Sequence, residues 1–468
     1  MNDVIFRAYD IRGKVGSELI VKQVYDLARA IAFYFIKHAK NKVKTVAVGM
    51  DGRTHSEKIK QEVCRALQDS GINVIFVGVC PSPVLYFSLF NCDVDAGLMI
   101  TASHNPKEYN GIKICLEKKT VWGDQIQEIR NLFHQKKYIE SSCQGSYSEK
   151  NVIDVYVDYL VNHFSFLKKN QIQAVIDCGN GAAGSVLPQL VEKMEWKSIQ
   201  LLYAGVDGDY PNHEADPTVE KNMQDVKKVL QTTDAMIGIG FDGDADRMAP
   251  MTKSGQLILG DKLLAVFAKD VLQKNPNAAV VFDVKASSGL VEILESLGAR
   301  PYFSPAGHAI IKETMAQHSS VLAGELSCHF FFADRYFGYD DGIYAMLRLF
   351  EILEKTKKRL SELLQIFPKK VSSVEIKLPC LEKQKQEIVE KIKKEFEQNE
   401  SIDTVTIDGV RAITDYGWGI VRASNTQSVL TLRFEANSEK DLQKIKENFY
   451  KKLLPYFDEQ FLKQKMGM

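Results

Sequence analysis

The sequence predicts an α/β protein of three related domains followed by a smaller α+β domain, and three observations carry that expectation. The chain has 468 residues, against roughly 100–200 for an ordinary domain. One pattern recurs: an apolar strand, an aspartate, a turn of small residues and an amphipathic helix. The C-terminal stretch abandons that pattern for short alternating strands and two charged helices.

The repeats are TVAVGMDGRTHSEKIKQEVCRALQDSG, AVIDCGNGAAGSVLPQLVEKM and AVVFDVKASSGLVEILESLG, with Asp51, Asp177 and Asp283 at equivalent points. Each helix is followed by another short strand: NVIFVG, SIQLLYAG and ARPYFSP. Continuous apolar strands alternating with helices indicate βαβ units, whose parallel sheets are covered on both faces. Recurrence argues for three α/β domains instead of one large sheet. Ligands of such sheets lie at the carboxyl ends of the strands, where these turns fall. Near the C-terminus SVEIKLP reads as a strand, KQKQEIVEKIKKEFEQN as a solvated helix and DTVTIDGVRAITDYG as a hairpin. GIVRASNTQSVLTLRFEA then gives two strands around a polar turn, and SEKDLQKIKENFYKKLLPYF a final helix. That is an α+β pattern. The expected domains cover roughly residues 1–148, 149–256, 257–367 and 368–468.

Hydrophobic residues make up 45% and charged residues 26%, the balance of a soluble globular protein. Lys plus Arg and Asp plus Glu both number 60, so there is no global basic field for nucleic acid. Any anion site must be local. The 8 cysteines include no C-x-x-C pair, which argues against structural zinc and a disulfide framework and for a reducing compartment. MNDVIFRAYDIRG lacks the basic start and apolar core of a signal peptide. No apolar run approaches the ~18 residues that span a bilayer. A cytoplasmic protein without membrane or nucleic-acid partners is expected.

AGLMITASHNPKEYNGIKI runs an apolar strand into a turn holding Ser103, His104, Asn105 and Pro106, with Lys113 just beyond. Asn-Pro and Asn-Gly form turns in any protein, so this stretch alone is ambiguous. AMIGIGFDGDADRM is more specific, because an apolar strand ends in Asp242, Asp244 and Asp246, followed by Arg247. Three alternating carboxylates repel one another unless a cation neutralises them, and oxygen-only ligation favours magnesium or calcium. A calcium EF-hand would need glycine and glutamate where Arg247 and Lys253 stand. Magnesium completes its shell with water and phosphate oxygens. A phosphorylated Ser103 would supply such an oxygen and a transferable group, with Lys113 and Arg247 offsetting its charge.

Two further elements are weaker by themselves. In GELSCH, Glu325, Ser327 and His329 alternate, so an extended segment would project all three to one side, where carboxylate and hydroxyl grip sugar hydroxyls. An ordinary strand exit would look the same. In VRASNT, Arg422, Ser424, Asn425 and Thr426 offer a guanidinium, hydroxyls and turn amides to a phosphate, although a plain polar hairpin fits too. His308 in SPAGHAII and Lys285 in DVKAS carry little singly.

In order, Y-D-I-R-G, T-A-S-H-N-P, D-G-D-A-D-R, G-E-L-S-C-H and R-A-S-N-T resemble the α-D-phosphohexomutases, in particular the bacterial phosphomannomutase/phosphoglucomutase type. The resemblance spans essentially the whole chain, one motif group per domain. It implies four domains around a central cleft, three α/β and one α+β. It implies Ser103 as a phosphoserine and Ser103, Asp242, Asp244 and Asp246 as ligands of Mg2+. It further implies that Glu325 and Ser327 read the sugar's 3- and 4-hydroxyls. Arg422, Ser424, Asn425 and Thr426 would hold the non-reacting phosphate. Tyr9, Arg12, Lys285, Gly307, His308 and His329 would complete the substrate site. Arg12, Lys113, His308 and His329 are candidates for proton transfer or transition-state stabilisation, while His104 positions the phosphoserine or braces its loop.

The implied substrates are mannose and glucose 1- and 6-phosphates, interconverted through a hexose 1,6-bisphosphate. Rival readings are a phosphoglucosamine mutase, a phosphomonoesterase and a degenerate sugar-phosphate-binding protein. Thr101 matches the mannose/glucose branch, because phosphoglucosamine mutases generally read S-A-S-H-N-P. One departure stands out: Cys328 occupies a position where relatives usually carry glycine.

Overall fold

Each repeat folds as a strand, a turn and a helix. Strand Thr45–Met50 leads through Asp51 to helix Ser56–Asp69, Ala174–Asp177 leads to helix Leu187–Lys193, and Ala279–Asp283 to helix Ser288–Ser296. The strand after each helix pairs in parallel with the one before it, the signature of a βαβ crossover. A computed structural model describes residues 1–424 and 428–468. They form two units, one of Met1–Leu263 with Ser327–Leu363, the other of Leu264–Leu326 with Leu364–Met468.

The first unit contains two sheets. In the larger, Ala96–Ile100 lies between Thr45–Met50 and Tyr109–Leu116, parallel to the former and antiparallel to the latter. All five residues of Ala96–Ile100 are buried, as expected of a strand covered on both faces. Its carboxyl end delivers the Ser103 turn, and the return strand places Lys113 opposite Met99. In the smaller sheet, Ile237–Phe241 runs parallel to Ala174–Asp177 and antiparallel to Met248–Thr252. The aspartate turn joins those two antiparallel strands.

Residues Ser327–Leu363 pack with the first unit, although they follow the third repeat in sequence. Asp341 shows why. It caps helix Gly342–Thr356 by accepting the Tyr344 N–H, and it also accepts the Tyr156 and Tyr336 hydroxyls. Burying an aspartate is costly unless it is hydrogen-bonded in this way, so these bonds fasten the helix to its neighbours.

In the second unit Arg300–Ser304, Ala279–Asp283 and Leu322–Gly324 form a parallel ribbon. The C-terminal sheet is antiparallel, with Val429–Ala436 between Gly417–Ala423 and Ile376–Pro379. The alternation of its strands divides it cleanly. Leu378, Val421, Leu432 and Phe434 join Ile392 and Phe449 in an apolar core with helices Glu382–Glu397 and Glu439–Leu453. Arg411, Trp418, Arg433 and Glu435 point the other way. SVEIKLP is a strand only over Ile376–Pro379. Among the described residues no helix is long and apolar enough to cross a membrane.

Candidate active site

Ser103 follows the buried strand Ala96–Ile100 and adopts a left-handed backbone, with φ of 50°. For a residue with a Cβ that conformation costs on the order of 1–2 kcal/mol, and it persists where the surroundings over-determine it. Here the Thr101 hydroxyl accepts the Ser103 N–H at 2.9 Å. The side chain is thereby aimed: Ser103 Oγ donates to Asp242 Oδ2 at 2.8 Å and lies 3.2 Å from His104 Nδ1.

The aspartate turn is the other half of this arrangement. Asp242, Asp244 and Asp246 are all fully buried, and one oxygen from each lies within 4.8 Å of the others. Ala245, also left-handed at φ 55°, turns the chain tightly enough to bring them together. Lys113 Nζ lies 2.7 Å from Asp244 Oδ2 and pairs with Asp246 as well. Ser82 Oγ donates to the same Asp244 oxygen at 2.5 Å. Asp244 Oδ1 is buried without a hydrogen-bond partner. His329 Nε2 sits 3.0 Å from Asp246 Oδ1 and 3.2 Å from Arg247 Nε, and Arg247 Nε is 3.7 Å from Asp242 Oδ2.

The electrostatics follow from that crowding. Burial, then Asp246 and Asp244, push the Asp242 carboxyl well above the usual range. Burial also pushes Asp246 upward, but Lys113 and His329 outweigh it and hold that carboxyl well below its ordinary value. Burial opposes the charge on Lys113, yet Asp244 and Asp246 raise its pKa, so it remains an ammonium. Burial, with Arg247 and Arg12 nearby, drives the His104 pKa well down and leaves a neutral imidazole. Such a set of oxygen donors can hold a metal ion.

The first unit thus gathers Ser103, His104, Lys113, Asp242, Asp244, Asp246, Arg247 and His329 into one network. Arg12 is tied to the serine turn, donating to Asn105 Oδ1 at 2.8 Å while it pairs with Asp10; Tyr9 nearby in sequence is buried. Ser327 Oγ lies 3.4 Å from His329 Nδ1. The extended reading of GELSCH is corrected, however. Residues 326–328 form a turn in which Cys328 is left-handed, φ 67°. Strict alternation requires a β backbone, and a left-handed residue ends it. Cys328 tolerates that conformation while buried, its Sγ 3.9 Å from the Ile258 carbonyl.

The second unit holds the remaining candidates in smaller groups. Glu325 Oε1 accepts the Gly307 N–H at 2.7 Å, just ahead of helix His308–His318, whose first residue is buried. Lys285 Nζ lies 3.4 Å from Glu375 Oε2 and 3.7 Å from Asp283 Oδ2. Burial disfavours its charge, but those two carboxylates raise its pKa, while burial lifts Asp283 to about 6. Arg422 pairs with Asp408 Oδ2 at 2.9 Å, and that oxygen also accepts the Ala306 N–H at 3.0 Å. The buried Ser424 offers its carbonyl to Lys385 Nζ at 2.6 Å. Asn425 and Thr426 lie outside the described residues.

Sequence reasoning missed Ser82, Asp340, Glu375, Lys385 and Asp408. Asp340 joins Asp246 and His329 in a second cluster with metal-ligating geometry. None of these carries a motif. Only the position of Ser82 after a strand end, in CPSP, gave any signal.

Comparison with known proteins covers nearly the whole chain. Residues 3–140, 154–255 and 259–371 match phosphoglucomutase/phosphomannomutase α/β/α domains I, II and III, and residues 375–452 match the C-terminal domain of that family. A phosphomannomutase/phosphoglucomutase of Pseudomonas putida is 40% identical over 97% of this chain and 96% of its own. A phosphoglucomutase of Neisseria gonorrhoeae is 39% identical over 95% of each. The crystal structure of a phosphoglucomutase/phosphomannomutase family protein from Burkholderia thailandensis superposes with a TM-score of 0.89 at 35% identity, covering 97% of this chain and 98% of that one. Identity of this order over nearly full length, with all four domains in sequence, means that the chain belongs to the phosphoglucomutase/phosphomannomutase family and is a mutase of the phosphohexomutase class.

Proposed function

We propose that the protein interconverts hexose 1-phosphates and hexose 6-phosphates, with mannose and glucose as the sugars, through a phosphorylated Ser103 and a hexose 1,6-bisphosphate. The observation that carries this reading is Ser103 Oγ, strained into place 2.8 Å from Asp242 beside two further buried carboxylates. In the forward half-reaction phosphoserine 103 gives its phosphoryl group to the free sugar hydroxyl. In the second half, the opposite phosphate of the bisphosphate returns to Ser103 Oγ.

The chain's own groups support both halves. The Lys113 ammonium and the Arg247 guanidinium offset charge on the transferring group. His329, tied to Asp246, and the neutral His104 beside Ser103 are positioned to hold or accept a proton. To Glu325 and Ser327 we assign the sugar hydroxyls, and to Arg422, Ser424, Asn425 and Thr426 the non-reacting phosphate, with Tyr9, Arg12, Lys285, Gly307 and His308 as further substrate contacts. The buried, unpartnered Asp244 Oδ1 and the all-oxygen donor set fit magnesium, held by Asp242, Asp244, Asp246 and a phosphoserine oxygen. When bound, such an ion supplies Lewis-acid stabilisation of phosphoryl charge. The scattered cysteines without a C-x-x-C pair support a cytoplasmic location.

A coupled assay comparing mannose, glucose and glucosamine 1-phosphates tests the assignment. Turnover of the first two above the third is expected. Preference for glucosamine 1-phosphate would replace the reading with a phosphoglucosamine mutase.

A further inference from the structure

Arg53 belongs to the first repeat's turn, and no reacting group requires it. Its side chain is fully buried. Nε donates to Asp51 Oδ2 at 3.1 Å. Nη1 donates to the carbonyls of Pro106 and Tyr109 at 2.7 and 3.1 Å, and Nη2 to those of Ser103 and Asn105 at 2.7 and 2.6 Å. A guanidinium has five N–H donors, and here all five are used, four of them on the backbone of the segment that carries Ser103. Four carbonyl dipoles converging on one buried point repel one another unless a cation sits among them.

The anchor behind Arg53 is equally fixed. Asp51 accepts the Arg53 N–H and the Ser56 hydroxyl on its other oxygen, and its own N–H is bonded to the Ile100 carbonyl. The Tyr210 ring lies 5.3 Å from the guanidinium carbon. The aspartate turn packs closely on the Ser103 carbonyl oxygen, for a Cβ placed on Gly243 would come within 2.5 Å of it. That oxygen is therefore confined by both Arg53 and the aspartate turn, which fixes the peptide plane after Ser103 while Thr101 fixes the N–H before it.

We infer that Arg53, oriented by Asp51, is a positioning residue for phosphoryl transfer: it holds Ser103 in its left-handed conformation through the carbonyl, so that Oγ points at Asp242. This rests on Ser103 being the phosphoryl carrier. Lysine cannot take over the role, because one ammonium with three donors cannot satisfy four carbonyls and a carboxylate at once.

The test is steady-state kinetics of Arg53→Lys and Asp51→Asn on glucose 1-phosphate, with kcat expressed per phosphorylated site counted by intact mass after incubation with glucose 1,6-bisphosphate. Misplacement of a reacting atom by ~1 Å costs about 100-fold. Arg53→Lys should lose kcat to about that extent with KM within about threefold of wild type. Asp51→Asn, which leaves the guanidinium in the fold, should lose about tenfold in the same parameter. A purely structural arginine would reduce only the folded fraction, so wild-type kcat per phosphorylated site in either folded variant overturns the proposal. Wild-type enzyme that acquires no phosphoryl group on Ser103 would instead overturn the reading beneath it.

Discussion

The two units treat charge in opposite ways. In the first, three buried carboxylates, Asp242, Asp244 and Asp246, face the Lys113 ammonium and the Arg247 guanidinium, and one Asp244 oxygen has no hydrogen-bond partner. In the second, the two candidate cations Lys285 and Arg422 have carboxylate company: Lys285 lies near Glu375 and Asp283, and Arg422 pairs with Asp408. A surplus of buried acid calls for a further cation. A paired arginine, by contrast, offers an incoming phosphate only the difference between two anions. The first arrangement suits chemistry, where charge must be stabilised as it moves, and the second suits binding that is reversible. The scaffolding is nonetheless similar. Arg53 clamps carbonyls around Ser103, and the buried Arg411 donates to the Val284 and Ala286 carbonyls on either side of Lys285, at 2.8 and 2.7 Å, its guanidinium 3.7 Å above the Trp418 ring.

This contrast makes graded predictions. Ser103→Ala should lower kcat by at least about 10⁴-fold, since the covalent carrier is gone. Intact mass should show a phosphoryl group on wild type and none on the variant. Near-normal turnover would end the phosphoserine assignment and the contrast with it.

Asp244→Asn removes one hard anionic ligand and one partner of Lys113. A loss of roughly 10²–10³-fold in kcat is expected, with a magnesium titration shifted to higher concentration and thermal unfolding close to wild type. Full activity in excess chelator, in either protein, would show that the acid surplus is not a metal site.

Arg422→Ala should act on binding. A charge-assisted contact is worth about 1.5–3 kcal/mol, or roughly a 10- to 100-fold loss in kcat/KM, carried mainly by KM because the held phosphate does not react. Arg422→Lys should recover part of it, lysine having no bidentate fork. Unchanged kcat/KM on both mannose and glucose 1-phosphates would reduce the Arg422–Asp408 pair to a structural link.

Cys328→Gly should have the smallest effect. Glycine relieves the left-handed strain, worth about 1 kcal/mol, but gives up buried sulfur and adds unfolded-chain entropy. A change below about 1 kcal/mol in denaturant unfolding is expected, with the ratio of mannose to glucose turnover preserved. A shift in that ratio would show that the turn at 326–328 sets sugar choice.

The repeats were readable because apolar periodicity and aspartates at strand ends are local signals. Strands Thr45–Met50, Ala174–Asp177 and Ala279–Asp283 lie where the pattern puts them. The serine and aspartate turns were readable for the same reason, since both interrupt apolar strands with residues that a core does not tolerate unpaired. The turn at Cys328 was hidden, because nothing in a cysteine announces a left-handed backbone. The use of Arg53 was hidden too: its four backbone acceptors lie some fifty residues away, and Glu375 beside Lys285 and the carboxylates around Lys113 lie farther still.

By itself, the sequence determined the order of elements and the four-domain pattern and marked out candidate site residues, because propensity, hydrophobic period and motif spacing act over a few residues. Only the tertiary structure decided that Ser103 is strained toward Asp242, that Lys113 lies among the carboxylates, and that Ser327–Leu363 packs with the first unit. Those outcomes depend on burial and on pairings between residues far apart in the chain, where the cost of an unsatisfied charge is set by neighbours that no local window contains.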